Sequence, residues 1–477
     1  MKKIIFSLST LISFAPASFP QTNFSDEVKT FIDYNAPVTV LKNCLLIDGK
    51  GNEAKPKQTI IIKKGIIDWV GDDASASTPT GSQVIDVNGR AVLPGWVMLH
   101  EHLYMSTPST TLFFIKEMPV SFPRLYLACG ATTIRTAGSI EPYLDLRIKK
   151  EIDSGKVAGP ALDVTGPYLQ GKESQFYEMH ELKSPDDAVK FVNYWAEQGC
   201  TSFKAYMNID KPTLKAAVDA VHKRGLKITG HLCAVTYREA AELGIDQLEH
   251  GFRASTDFAS DKKENSCPSS ALSSLAKINP ESDSVKELIR FLVSKKVIIT
   301  STLSVSEGST TTQPMPDSAA LEAMSPDARN NYFKILLGIK SRKAPTNSDK
   351  AFLNNAKMEK QFYDAGGLLT VGTDPTGNGG ILAGYHSWRA IELLVEADGF
   401  TPLEAIKIAT LNGAMALRMD KIIGTIDMGK RADLIVIDGD PSKKITDIRK
   451  VVWVFKSGVG FNSKKLFDSV RGKVGFY

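Results

Sequence analysis

GWVMLHEHLYM, Gly95 to Met105, closes an apolar run with two histidines one residue apart. The chain has only seven histidines in 477 residues, so a pair at one strand-like end calls for a reason. In a β-strand, residues i and i+2 point to the same face. His100 and His102 therefore project side by side, and Glu101 turns the other way. Two imidazoles on one face suit a metal such as Zn²⁺. Two unrelated polar residues where a strand meets a loop would look the same, so the surrounding chain has to decide.

Working outward, seven further segments read as strands: ATTIRTAG (131–138), ALDVTGPYL (161–169), CTSFKAYM (200–207), LKITGHL (226–232), IDQLEHG (245–251), KVIITSTLS (296–304) and LLTVGTD (368–374). Amphipathic helices lie between several of them, such as DKPTLKAAVDAVHKRG (210–225), with Gly225 at its C-terminal end. Eight strands with intervening helices predict an α/β fold, a (β/α)₈ barrel. An open doubly wound sheet is the alternative, but no Gly-x-Gly-x-x-Gly turn supports it. Short strand-like runs before residue 92 and after 419 predict a small β-sandwich domain built from both chain ends. The expected organisation is a signal peptide over 1–17, sandwich over 18–92, barrel over 93–418 and sandwich again over 419–477. Two long polar stretches, roughly 253–286 and 305–350, interrupt the barrel pattern. The helical pattern of SAALEAMSPDARNNYFKILLGIKS (318–341) predicts an ordered lid in the second.

The N-terminus, MKKIIFSLSTLISFAPAS, has two lysines, an apolar region and Ala15-Pro16-Ala17. That pattern predicts an exported protein, periplasmic or secreted, cleaved after Ala17. No later run of 18 apolar residues predicts a membrane span in the mature protein. A formal net charge of +5 with no basic run reads as solvated surface, not a nucleic-acid footprint. Cysteines 44, 129, 200, 233 and 267 are too sparse for a disulfide framework. Cys129 and Cys200 each precede a strand and read as buried thiols; Cys233 and Cys267 are a pairing option in an oxidising compartment.

Lys204, His231, His250 and Asp374 fall at or near the C-terminal ends of their strands, as His100 and His102 do. That end of such a barrel is the catalytic face. Each residue alone has an ordinary structural explanation; Asp374 before Pro375, for instance, fits a helix cap. Their conjunction has none.

Here the chain resembles the amidohydrolase superfamily of metal-dependent hydrolases, in particular its imidazolonepropionase-like and Xaa-Pro dipeptidase-like branch. The resemblance rests on LPGWVMLHEH, GATTIRTAG, FKAYM, ITGHL, LEHG, VGTD, GFTPLEAIKIATLNGAMAL and IGTIDMGKRADLIVI, spread over nearly all of the chain after the leader. It departs from many relatives at Glu101, which should face out of the barrel without loss of metal binding. The resemblance implies two divalent metal ions, with Zn²⁺ expected. His100, His102 and Asp374 would hold one, His231 and His250 the other, and Lys204 would bridge them as a carbamate. It also implies that Asp374 is the catalytic proton carrier.

Tyr206 shares a strand face with Lys204, and its phenol is a candidate substrate contact. Arg135 is another, with support of the ligands as its alternative role. His180 is a third; for it, and for His386, a surface histidine is the competing reading, and His222 reads as structural. The expected reaction is hydrolysis of an amide-type C–N bond, in a dipeptide or N-acyl amino acid. A cyclic amidase or a lactone or ester hydrolase is the alternative, and a non-catalytic barrel a further one. The expected partner is a small-molecule substrate, with a homo-oligomer left open.

Overall fold

The computed structural model describes residues 23–108, 113–174, 176, 178–377 and 379–475; the expected leader, 1–17, lies outside them. All eight strand-like segments of the middle region form strands: β1 (Trp96–Glu101), β2 (Ala131–Thr136), β3 (Ala161–Asp163), β4 (Ser202–Met207), β5 (Lys227–Leu232), β6 (Gln247–Glu249), β7 (Ile298–Ser301) and β8 (Leu369–Val371). They are shorter than the apolar runs suggest, because the polar C-terminal ends peel away into loops.

Neighbours pair in parallel, β1–β2–β3 and β4 through β8, in chain order. Two seams close the ring. At the first, the Gly166 and Leu169 amides donate to the Ser202 and Lys204 carbonyls, each at 2.9 Å. At the second, the Asp374 amide donates to the His100 carbonyl at 2.8 Å. A side chain at Gly372 would collide with the His100 backbone, so glycine permits this close approach. The result is a closed (β/α)₈ barrel.

The outer helices follow from local sequence. Lys211–Lys223 starts at Asp210, whose side chain accepts from the Thr213 amide, with Pro212 in the first turn. It buries Leu214, Ala217, Val218 and Val221, the i, i+3, i+4, i+7 stripe of an amphipathic helix.

The chain ends combine as expected, in the form of one sheet. Strands between Ile32 and Pro94 join Leu434–Ile437, Val451–Lys456 and Val459–Asn462 in nine strands. Where Ile66–Asp72 begins, the chain bonds back to residues 429–432, which lead into Leu434–Ile437. The sheet thus curls over its own apolar cluster, which includes Leu41, Ile60, Ile62, Val92, Leu434 and Phe455.

The stretch after β6 is ordered around helices Ala271–Lys277 and Asp283–Ser294. A Cys233–Cys267 disulfide ties it to the end of β5. The stretch after β7 is helical, as its pattern predicts, over Ser318–Ala323, Pro326–Lys340 and Asn347–Asp364. Cys44, Cys129 and Cys200 are free and buried. No helix among the described residues is long and apolar enough to cross a membrane.

Candidate metal centre at the barrel mouth

The six residues singled out in the sequence converge. His100 Nε2 lies 3.9 Å from Asp374 Oδ1, and His102 Nε2 lies 3.4 Å from the same oxygen. His250 Nδ1 is 3.7 Å from Asp374 Oδ2. The His231 and His250 ring centres are 4.3 Å apart, and those of His100 and His250 4.5 Å apart. Lys204 Nζ donates to His100 Nε2 at 3.1 Å. The donor atoms of His100, His250 and Asp374 all lie within 4.8 Å of one another.

Backbone conformation aims two of these groups. His250 and Asp374 have φ of +68° and +49°, left-handed values that cost a non-glycine residue free energy. Each sits past its strand, and at His250 the turn brings the side chain inward, out of the alternation that already points Glu249 toward His100.

The second ring nitrogens fix the imidazoles. His100 Nδ1 pairs with Glu249 Oε2 at 2.7 Å, and His102 Nδ1–H donates to the Gly138 carbonyl at 3.2 Å. His250 Nδ1 lies 2.8 Å from Thr302 Oγ1, while its Nε2 is buried with no hydrogen-bond partner among the described residues. Such anchoring leaves Nε2 lone pairs facing the centre, the arrangement a ligating histidine needs. A buried imidazole nitrogen without a partner is costly unless something else coordinates it. The donor set therefore fits a divalent cation.

Electrostatics agree. Burial lowers His102 to about 4 and His231 to about 3, and holds His250 well below its ordinary value. All are then neutral near pH 7, with lone pairs available. Burial alone would raise Asp374, but the adjacent His100, His102 and His250 hold it well below the usual carboxylate range. Burial lowers Lys204 to about 8.

Glu249 went unnoticed in the sequence. It is buried, and burial would raise it, but His100 and Arg135 bring it down to about 2. Arg135 spends its guanidinium on protein groups: Glu249 at 2.8 Å, Gln247 at 2.8 Å and the Leu99 carbonyl. It lies beneath the centre and supports a ligand through Glu249, the alternative role considered for it, and away from any substrate space. Tyr206 does stand at the centre, its ring 5.1 Å from His231. Tyr168 packs on Tyr206 at 4.8 Å and hydrogen-bonds Tyr104 at 2.7 Å, an aromatic wall that sequence spacing did not reveal. His180 is outside: half-exposed, stacked on Phe191 and 3.4 Å from Asp187. His386 is half-buried; its Nδ1 accepts from the Leu382 amide, and burial lowers it to about 3. His222 pairs with Asp246 on the outside. Glu101 faces away from the centre, as expected, but is fully buried and accepts from the Thr373 amide at 2.8 Å, pinning β1 to the end of β8.

A closed (β/α)₈ barrel that gathers histidines, a lysine and an aspartate at its strand C-termini defines a scaffold of the metal-dependent hydrolase class. Comparison narrows it. Residues 343–460 match the amidohydrolase family. Imidazolonepropionase of Deinococcus radiodurans is 21% identical over 390 residues, 81% of this chain and 86% of that protein. A stretch of 98 residues is 37% identical to 5-methylthioadenosine/S-adenosylhomocysteine deaminase of Thermoanaerobacter pseudethanolicus, covering 18% of this chain and only 23% of that protein. A Xaa-Pro dipeptidase solved with methionine in its active site shares the fold at a TM-score of 0.65 and 18% identity, over 89% of this chain and 100% of that one. The family match over residues 343–460 and the long alignment with imidazolonepropionase support the amidohydrolase superfamily.

Proposed function

We propose that this is an exported amidohydrolase that cleaves an amide-type C–N bond, in a dipeptide or an N-acyl amino acid, with two divalent metal ions. The observation that carries the reading is the convergence of His100, His102 and His250 on the Asp374 carboxylate, with His231 packed on His250 and His250 Nε2 buried without a partner among the described residues. His100, His102 and Asp374 would hold one ion, and His231 and His250 the other, with Zn²⁺ the expected metal. Bound divalent ions supply carbonyl polarisation and hydroxide near neutral pH.

The chain's own groups do the rest. Lys204, lowered to about 8, is partly neutral amine near pH 7, the form that adds CO₂. Its carbamate would exchange a cation without lone pairs for two oxygen donors. The Asp374 carboxylate accepts a proton at one oxygen and returns it to the departing nitrogen. Tyr206 donates its phenol hydrogen to the substrate. Glu249 and Arg135 hold His100 in orientation. Export draws support from the leader pattern and from the Cys233–Cys267 disulfide, which suits an oxidising compartment.

The test is a panel of dipeptides, N-acyl amino acids, cyclic amides and lactones offered to metal-loaded protein. Amine release from the first two groups is expected. Turnover of cyclic amides alone would shift the reading to the second candidate, which the long alignment with imidazolonepropionase favours. Metal-replete protein that turns over nothing would support a binding barrel.

A further inference from the structure

At the opposite end of the barrel from His100 lies a second cavity of about 570 Å³. It opens between the curled sheet and the loop that leads into β3, and it does not touch the metal centre. Its size is within the usual range for small-molecule sites. Ile152, Val157 and Phe461 give it apolar walls, and Lys64, Arg431 and Lys456 bring three cations to it from separate turns and strand ends.

Arg431 has its own anion, Asp433, but Lys456 and Lys64 make no ion pair among the described residues. Asp433 is the nearest buried carboxylate, but both of its oxygens are taken. Oδ2 accepts from Arg431 at 2.8 and 2.5 Å, and Oδ1 accepts from the Ser457 amide at 2.8 Å. Asp153, the acid on the cavity wall, is paired with Lys149 at 2.7 Å. Lys456 therefore makes no ion pair among the described residues, and its ammonium donates to the Gly159 carbonyl at 2.8 Å. An ammonium has three donors, and an unpaired charge in such surroundings is expensive. Lys64 stands exposed at the rim.

We infer that this cavity is a binding site for an anionic small molecule with an apolar body, of the fatty-acid type. Its carboxylate pairs with Lys456, and its hydrocarbon lies against Ile152, Val157 and Phe461. The ligand completes what the fold leaves open: further acceptors for the Lys456 ammonium, and an occupant for the space beside Ile152, Val157 and Phe461.

Isothermal titration of the full chain with sodium octanoate tests this, with 1-octanol as the uncharged probe. One octanoate per chain should bind, and octanol should bind at least about 10-fold more weakly, since hydrogen bonds to charged groups are the stronger ones. Lys456→Gln should weaken octanoate about 10-fold or more. Ala36→Trp, at the cavity wall, should block it without altering charge, which keeps the test open if the lysine variant fails to fold. His100→Ala should bind octanoate as the unaltered protein does. Absence of binding, equal binding of octanol, unchanged affinity in both cavity variants, or loss in His100→Ala would each overturn the assignment.

Discussion

At His250 and Asp374 the backbone takes left-handed φ values to bring two donors to one point. A site that stores such strain is expected to be arranged for function over stability. Asp374→Asn keeps the volume and one oxygen donor but cannot carry a proton. It should retain much of its bound metal by elemental analysis while kcat falls about 10²-fold or more. Near-normal kcat in metal-replete protein would remove Asp374 from the proton-carrying role. Arg135→Met should act differently. It leaves buried Glu249 without its cation, so it should cost about 3–5 kcal/mol in denaturant unfolding, the scale of a broken buried ion pair. The five histidine and aspartate donors were legible in the sequence because each sits at or near a strand end with a side chain that has few reasons to be there, and Lys204 because a lysine inside an apolar strand has few either. Glu249 was not. Strand alternation assigns it and His250 to opposite faces, and only the turn at His250 brings both toward His100. The available signal was a carboxylate inside an apolar strand, which needs a buried cation, and Arg135 is one.

Among elements, the order and number of the barrel strands were legible because each apolar run is bounded by turn residues. Their ends and the loop geometry were not, since contacts made across the barrel mouth decide them. The aromatic wall is an example: Tyr104 follows β1 and Tyr168 follows β3, and only the paths of the loops beyond those strands make them neighbours. One inter-element contact carries a pH dependence. Glu359, on Asn347–Asp364, is buried and packs against Asp398, beyond the end of Tyr385–Glu396. Burial, above all, pushes Glu359 up to about 7, and Asp398 is raised as well. Glutamate in the unfolded chain titrates at about 4.3. Between those values the folded chain holds a proton that the unfolded chain has released. The stability this gives is complete below the unfolded pKa and is lost as pH rises toward 7. Glu359→Gln should therefore narrow the drop in Tm between pH 5 and pH 8. An unchanged drop would show that the pair does not share a proton.

Across the whole molecule, the sequence foretold a barrel flanked by β structure from both ends. It did not foretell that nine strands would bond into one curled sheet, because the pairing of Ala91–Pro94 with Leu434–Ile437 joins residues more than 300 positions apart. The Cys233–Cys267 bridge closes a 34-residue separation. Cys267→Ser should lower stability by about 3–4 kcal/mol on the loop-entropy scale, measured against denaturant under oxidising conditions. A loss that persists undiminished when both proteins are compared under reducing conditions would argue that the bridge is not its source. The central claim is that the strand ends assemble a two-metal hydrolytic centre. Metal-free protein titrated with Zn²⁺, with bound metal counted and hydrolysis of a responsive dipeptide followed together, tests it most directly. Saturation at two ions per chain is expected, with activity that rises with metal occupancy and loss of both in the His100→Ala/His102→Ala double variant with the fold intact. Metal content in that variant equal to the unaltered protein's would contradict it.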